Sequence, residues 1–432
     1  MSPASPRVRL PGKSASGVVS LRRTRLAVSA AYAAQGLGYA VVVTALPALK
    51  GRQAIDDTAV SLIILLVCIA AAAGSVCADR LAARSGSGTA LALGLILQTV
   101  ALAGIAAPVA LPVFVAAFAV YGVGLGMVDA AGAMQGVLVQ RRFGASVMAG
   151  FFACYTAAAI VGALLMSVLS GSALPESALG ASVALVAAAV VALAVSLVCR
   201  GWFDARLTGV QGAASAADGS AAASASAAAS GAANGAANGV VLIRRPPLPR
   251  RGIAVFGLVV LAAFVVDSAV STWSTVYLHD VLLSSAAVAP LGYAAYQAAI
   301  LVTRLGADRV VRRYGRVVLA IATALLAMVG LALVAAVPSV WAAVFGFALA
   351  GFGVGALVPL AFSAAGELDP ERSDEIIARV NLFNYAGAVL GAVLVGLLAE
   401  GPGLATGFLI PLALLIPVVL FARRFITTAS TS

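Results

Sequence analysis

Charge is scarce in this chain. Of its 432 residues only 10% are charged while 62% are hydrophobic, and mean hydropathy is +1.08. Too little polar surface remains to clothe a water-soluble fold of this length. Lysine is almost missing, with Lys13 and Lys50 standing against 25 arginines. The single histidine, His279, sits beside Asp280, and there is no HExxH and no Gly-x-Ser-x-Gly, which argues against a membrane-embedded enzyme. The absence of a GxxxxGK[S/T] phosphate loop argues against an ATP-driven pump in one chain. Four cysteines, Cys68, Cys77, Cys154 and Cys199, lie scattered in or beside apolar stretches with no CxxC pair. They read as small packing residues rather than a disulfide frame or a metal site. The chain is therefore expected to be no enzyme and to need neither cofactor nor metal.

Long apolar runs are what it has. A helix of about 20 apolar residues crosses a bilayer core of roughly 30 Å with every backbone polar group satisfied internally. About twelve such runs occur, near 26–48, 58–78, 88–108, 112–138, 147–170, 179–199, 253–276, 285–306, 316–337, 340–365, 376–398 and 405–422. The fold class expected is an all-α integral membrane protein of 12 transmembrane helices. Arginine sets the orientation, because Lys and Arg are retained in the cytoplasm during insertion. The N-terminal tail, the Arg80 and Arg84 link, Arg141 with Arg142, the segment from Arg200 to Arg251, the links holding Arg309 to Arg316 and Arg372, and Arg423 with Arg424 all fall on one side. Lys50 and Arg52 alone fall on the other, and Arg304 and Arg379 are placed near cytoplasmic helix ends. Both termini are thus expected inside, and the formal charge of +11 reports topology, not affinity for nucleic acid. The first apolar stretch is too long for a signal-peptide core and has no clear cleavage site, so it reads as an uncleaved span.

Residues 201–251 are rich in Ala, Ser, Gly and Asn and end in Arg244-Arg245-Pro246-Pro247-Leu248-Pro249-Arg250-Arg251. Little there can form a core, so the stretch reads as a flexible cytoplasmic linker. It divides the chain into a tail (1–25), a first six-helix half (26–200), a second (252–425) and a short tail (426–432). The halves repeat at an offset of 229. Asp79-Arg80, Arg84 and Gly86 recur as Asp308-Arg309, Arg313 and Gly315; Gly122, Gly124 and Gly126 recur as Gly351, Gly353 and Gly355, and Gly162 as Gly391. A duplicated helical membrane unit is the sequence sign of a secondary transporter.

Those repeated Asp-Arg-x-x-x-Arg-x-Gly loops, the two six-helix halves and the long linker resemble the major facilitator superfamily. A narrower resemblance joins Gly122-x-Gly-x-Gly-x-x-Asp129, Gln135, Arg141-Arg142-x-Gly144 and Phe151 to the fourth span of the fucose-permease-like bacterial branch. Trp273-x-x-x-Tyr277-Leu278-x-Asp280, after Asp267, is similar to that branch's seventh span. Ala133 and Phe152 stand where the branch has Asn and His, so its substrate does not carry over. The resemblance implies a cavity lined by spans 1, 4, 7 and 10.

Polar side chains inside apolar helices point inward, because lipid cannot satisfy them. Span 1 carries Tyr32, Gln35 and Tyr39 on one face, span 7 carries Asp267, Ser271 and Ser274, span 8 Tyr293 and Gln297, and span 11 Asn381, Asn384 and Tyr385. With Gln135, Trp273 and Tyr277 from the resembling motifs, these are the cavity candidates. A carboxylate near the bilayer centre costs roughly 2.5–3.5 kcal/mol on insertion scales unless it meets water, a partner or a proton. Asp267, and second to it Asp129, are the candidate proton sites. The loop residues Asp79, Arg80, Arg84 and Gly86, with Asp308, Arg309, Arg313 and Gly315, are a candidate cytoplasmic gate, and Glu367, Asp369, Glu371 and Asp374 are acids available to pair with it.

The function expected is secondary active transport of a small organic solute by alternating access, coupled to protons. A proton-driven efflux pump or a non-transporting receptor of the same fold are the alternatives. Span 5 has Gly150 and Gly162 but no proline, unlike the Gly-Pro pattern of the superfamily's drug antiporters. The expected partners are the solute, protons and the lipid of a bacterial plasma membrane, suggested by the arginine, alanine and glycine bias of a GC-rich gene; no nucleic acid is expected, and the protein is expected to be a monomer.

Overall fold

A computed structural model describes residues 15–143, 147–171, 177–203, 248–369, 372–399, 401 and 403–422. Among them the regular structure is helical throughout. The first half holds α1 (Ala15–Gln53), α2 (Asp57–Ser85), α3 (Ser87–Ala106), α4 (Leu111–Phe143), α5 (Met148–Gly171) and α6 (Ser177–Cys199). The second holds α7 (Arg250–Val276), which runs on into a π-helical turn (Tyr277–Val281), then α8 (Pro290–Tyr314), α9 (Arg316–Ala336), α10 (Val340–Gly366) and α11 (Ser373–Ala399). One turn, Leu404–Gly407, leads into α12 (Leu409–Phe421). Eleven of the described helices are long and apolar enough to span a membrane. The other, α8, has the length at 25 residues but carries Gln297, Arg304 and an arginine-rich end.

Apolar runs mark only the part of each helix that sits in hydrocarbon, so several helices outrun them. The first begins at Ala15 rather than near 26. The eighth is displaced, from an expected 285–306 to Pro290–Tyr314, because proline is pre-set for the first helical turn and the residues before it bend, with Leu283 at φ 50. Most of the expected linker, residues 204–247, lies outside the described residues.

The duplication is visible in the backbone. Gly86 and Gly315 end α2 and α8 with φ 89 and 82, each donating its N–H at 2.9 Å to the carbonyl four residues back, Ala82 and Val311. Only glycine takes that conformation without strain. Gly126 of α4 lies against the Ala71 carbonyl of α2, and Gly355 of α10 against the Ile300 carbonyl of α8, again 229 residues on. Close backbone approach at small residues is how helices pack where lipid gives no hydrophobic drive.

The halves meet along α1–α7, α2–α11 and α5–α8. Call the end carrying Lys50 and Asp280 the lysine face, and the end carrying Arg80 and Arg309 the arginine face. Toward the lysine face the seam is tight: Leu46 and Val60 join the buried cluster built by Val266, Val270 and Trp273. There Ser167 donates to the Ala287 carbonyl, and Gly396 of α11 lies against Ser61 of α2. Among the described residues, α4 and α10 make no comparable packing with the opposite half.

Candidate functional site

Two walls face each other at the depth of the helix middles. On the first-half wall, about 21 Å of α4 separate Asp129 from Phe143. The Asp129 side chain is exposed, yet Gln35 of α1, itself buried, donates to its Oδ1 at 2.6 Å. Tyr32, Tyr39, Tyr121 and Tyr155 all lie close enough to feel its charge. An exposed carboxylate with polar groups of three helices around it is oriented toward protein, because lipid cannot satisfy it. Tyr32 is fixed from behind by stacking on Phe151, with ring centroids 5.7 Å apart, and by an edge contact with Phe152.

On the second-half wall, Asp267 of α7 accepts from Tyr296 of α8 at 2.8 Å. Two turns further along the same face of α8 comes Arg304, about 15 Å from the helix end at Tyr314 and within electrostatic reach of Asp267. Its guanidinium is exposed and donates to Thr156 of α5, across the seam, at 3.2 Å. Tyr39 stands between the walls, close to both carboxylates, and packs with Ala40, Ala159, Tyr293 and Ala294. Six of the chain's nine tyrosines therefore converge on two acids, and one arginine balances one of them.

The family model described as Major Facilitator Superfamily matches residues 28–372 and 282–431. The chain is a transporter of the major facilitator superfamily. An uncharacterised MFS-type transporter of Yersinia pestis is 26% identical to it over 410 residues, covering 94% of this chain and 96% of that protein. Membrane protein MosC of Rhizobium meliloti is 31% identical over a shorter stretch, 37% of this chain and 39% of its own. A solved D-xylose–proton symporter superposes with a TM-score of 0.71 at 14% identity, covering 95% of this chain and 99% of that one. The fucose-permease structure FucP, in its outward conformation, gives 0.58 at 15% identity over 96% and 100%. Identities this low establish a shared fold alone.

The remaining sequence candidates of this MFS transporter lie in three settings. Ser271 and Ser274 are buried in α7, Ser271 beside Tyr39, and Gln297 donates to Tyr293 at 2.7 Å within α8. Gln135, Trp273 and Tyr277 are fully buried, Trp273 in the tight part of the seam. Gln135 donates to Ser87 of α3 at 2.8 Å, Trp273 to the Ala392 carbonyl of α11 at 2.7 Å and Tyr277 to the Val334 carbonyl of α9 at 2.9 Å. Asn384 donates to Asn381 at 3.3 Å, and Tyr385 beside them is exposed.

On the arginine face Asp79, Arg80, Arg84, Arg309 and Arg313 are exposed, and Arg313 lies over the Tyr314 ring. Glu367 pairs with Arg316 and Asp369 with Arg372, both at 2.7 Å. The side chains of Asp308 and Asp374, and Glu371 entirely, lie outside the described residues.

Arg304 is the site residue that sequence reasoning misplaced. With span 8 set at 285–306 it falls at a helix end; with α8 running to Tyr314 it lies near the middle of the helix. The available signal was the repeat itself, since Arg304 stands where the first half has Ser75, which only bonds carbonyls of Ala71 and Gly126. Tyr121, Tyr155 and Thr156 were also missed, because isolated polar groups among alanines and valines show no stripe, and Tyr296 was passed over beside Tyr293 and Gln297.

Proposed function

We propose that this protein is a proton-coupled secondary transporter that moves a small polar organic solute by alternating access, one half rocking on the other around the Asp129–Arg304 void. The observation that carries the reading is the charge set itself: two acids and one arginine, drawn from both halves and held at mid-helix depth. Charge at that depth is expensive without a mechanistic use. Arg304 balances Asp267, while Asp129 has an amide and tyrosines around it and no cation among the described residues, so Asp129 takes the coupled proton and Asp267 with Arg304 controls its release. That order reverses the one expected from the sequence, and Arg304 is the reason.

Arginine asymmetry supports a cytoplasmic arginine face, with both termini and residues 201–251 inside and the chain in a bacterial plasma membrane. Tight packing on the lysine face and the lack of comparable α4 and α10 contacts then correspond to a state closed to the outside. Structural neighbours named for D-xylose and nucleosides set the size of solute to try first. The test is a thermal-stability screen of sugars, nucleosides, amino acids and organic acids on the purified protein, since binding to the native state raises its stability. Stabilising solutes are then offered to proteoliposomes with and without a pH gradient. Gradient-driven accumulation supports the reading; binding with no solute flux in either condition leaves a receptor of the same fold.

A further inference from the structure

On the lysine face the seam ends in a small ion cluster. Lys50 Nζ, near the end of α1, lies 2.6 Å from Asp57 Oδ1 at the start of α2 and 2.7 Å from Asp280 Oδ2 in the π turn after α7. His279 Nδ1 lies 2.7 Å from the other Asp280 oxygen. The change from α to π pitch at Tyr277–Val281 carries His279 and Asp280 together, and π turns recur at functional sites. The neighbouring charges are otherwise engaged: Asp56 caps α2 by accepting from the Ala59 N–H at 2.7 Å, and Arg52 turns to the Ala106 carbonyl and Ser182 within its own half.

The two carboxylates on Lys50 differ in one respect. Asp57 belongs to the same half and follows α1 after a three-residue link, so it stays with Lys50 however the halves move. Asp280 belongs to the other half, so its bond to Lys50 exists only while this face is closed.

We propose that Lys50 is the latch of the lysine face, holding the two halves together there through Asp280 and releasing them once in each cycle. This rests on the alternating-access reading. Opening strands neither charge, because Lys50 keeps Asp57 and Asp280 keeps His279. A half-exposed, well-formed ion pair shifts a two-state population by roughly tenfold, enough to bias the closed state and weak enough to release it. The Asp-Arg loops guard the opposite face, and the latch gives the lysine face a closure of different chemistry.

The test uses the full-length protein with its four native cysteines replaced and Ser61→Cys as reporter, a position buried in the seam beside Gly396. A membrane-impermeant thiol reagent applied from the lysine face should label it roughly tenfold faster in Lys50→Ala and in Asp280→Ala. Asp57→Asn, which removes only the arm within one half, should change labelling far less, and that contrast separates loss of the latch from general loosening. Exchanging the charges, Lys50→Asp with Asp280→Lys, should return labelling toward the parent rate, because the transferred ammonium then faces the transferred carboxylate and Asp57. Unchanged labelling in both alanine variants, or equal acceleration in Asp57→Asn, overturns the latch. Faster labelling in a protein that moves no solute leaves the latch standing and removes the transport reading; flat labelling with intact transport does the reverse.

Discussion

Arg304 of α8 reaches across the seam to Thr156 of α5, 3.2 Å away, while the carboxylate whose charge it balances, Asp267, lies on its own side. One guanidinium therefore reports both on the contact between the halves and on the charge of the void. Removing it leaves the Asp267 charge without its cation, and an uncompensated charge inside the protein costs more than removing both partners. Arg304→Gln should lower solute flux by about tenfold or more, and Arg304→Gln with Asp267→Asn should recover much of the exchange activity. A double variant no better than the single one, in the same proteoliposome assay, would show that Asp267 and Arg304 do not act as a charge pair.

Glycine packing gives a prediction about stability alone. A methyl group on Gly126 meets the Ala71 backbone rather than a movable side-chain end, and overpacking of this kind costs about 1–3 kcal/mol. Gly126→Ala should lower the unfolding temperature in detergent, its counterpart Gly355→Ala should do so far less because its nearest neighbours stand at 3.0–3.1 Å, and Gly150→Ala, which has open space around it, should not. Equal effects at all three positions would mean that the α2–α4 and α8–α10 approaches are looser than described.

The assignment of faces is open to a direct check. A periplasm-active reporter inserted at Ala229 should be silent and a cytoplasm-active one should work, because the arginines flanking that segment are retained inside. Activity from the external reporter alone inverts the topology.

Asp79→Asn and Asp308→Asn should slow transport while leaving solute affinity nearly unchanged, because both residues sit in the last turns of α2 and α8, toward the arginine face, and act on the conformational equilibrium. Loss of binding with turnover otherwise intact would place these loops in recognition instead.

The membrane helices were legible because they are written in quantities that survive averaging: apolar run length and a 229-residue echo. Even the capping geometry of Gly86 and Gly315 follows from that echo. The candidate site was suggested by sequence only where polar residues recur at helical spacing, as with Tyr32, Gln35 and Tyr39. Gln135, Trp273 and Tyr277 entered through a motif, and a motif does not say which way a side chain points; their bonds run to α3, α11 and α9. Arg304 was hidden by a boundary error of eight residues at the end of α8. At an arginine-rich helix end, composition cannot tell an arginine anchoring at the interface from one turned into the protein.

The central claim is that Asp129 carries the coupled proton. Asp129→Asn keeps the shape and the Gln35 contact while fixing the group in an uncharged form. In proteoliposomes loaded with a solute that the screen has found, exchange of labelled for unlabelled solute should persist, while accumulation driven by an imposed pH gradient should fall to the level set by equilibration. An Asp129→Asn variant that still concentrates solute against its gradient, with the pH dependence of the parent, would contradict the account.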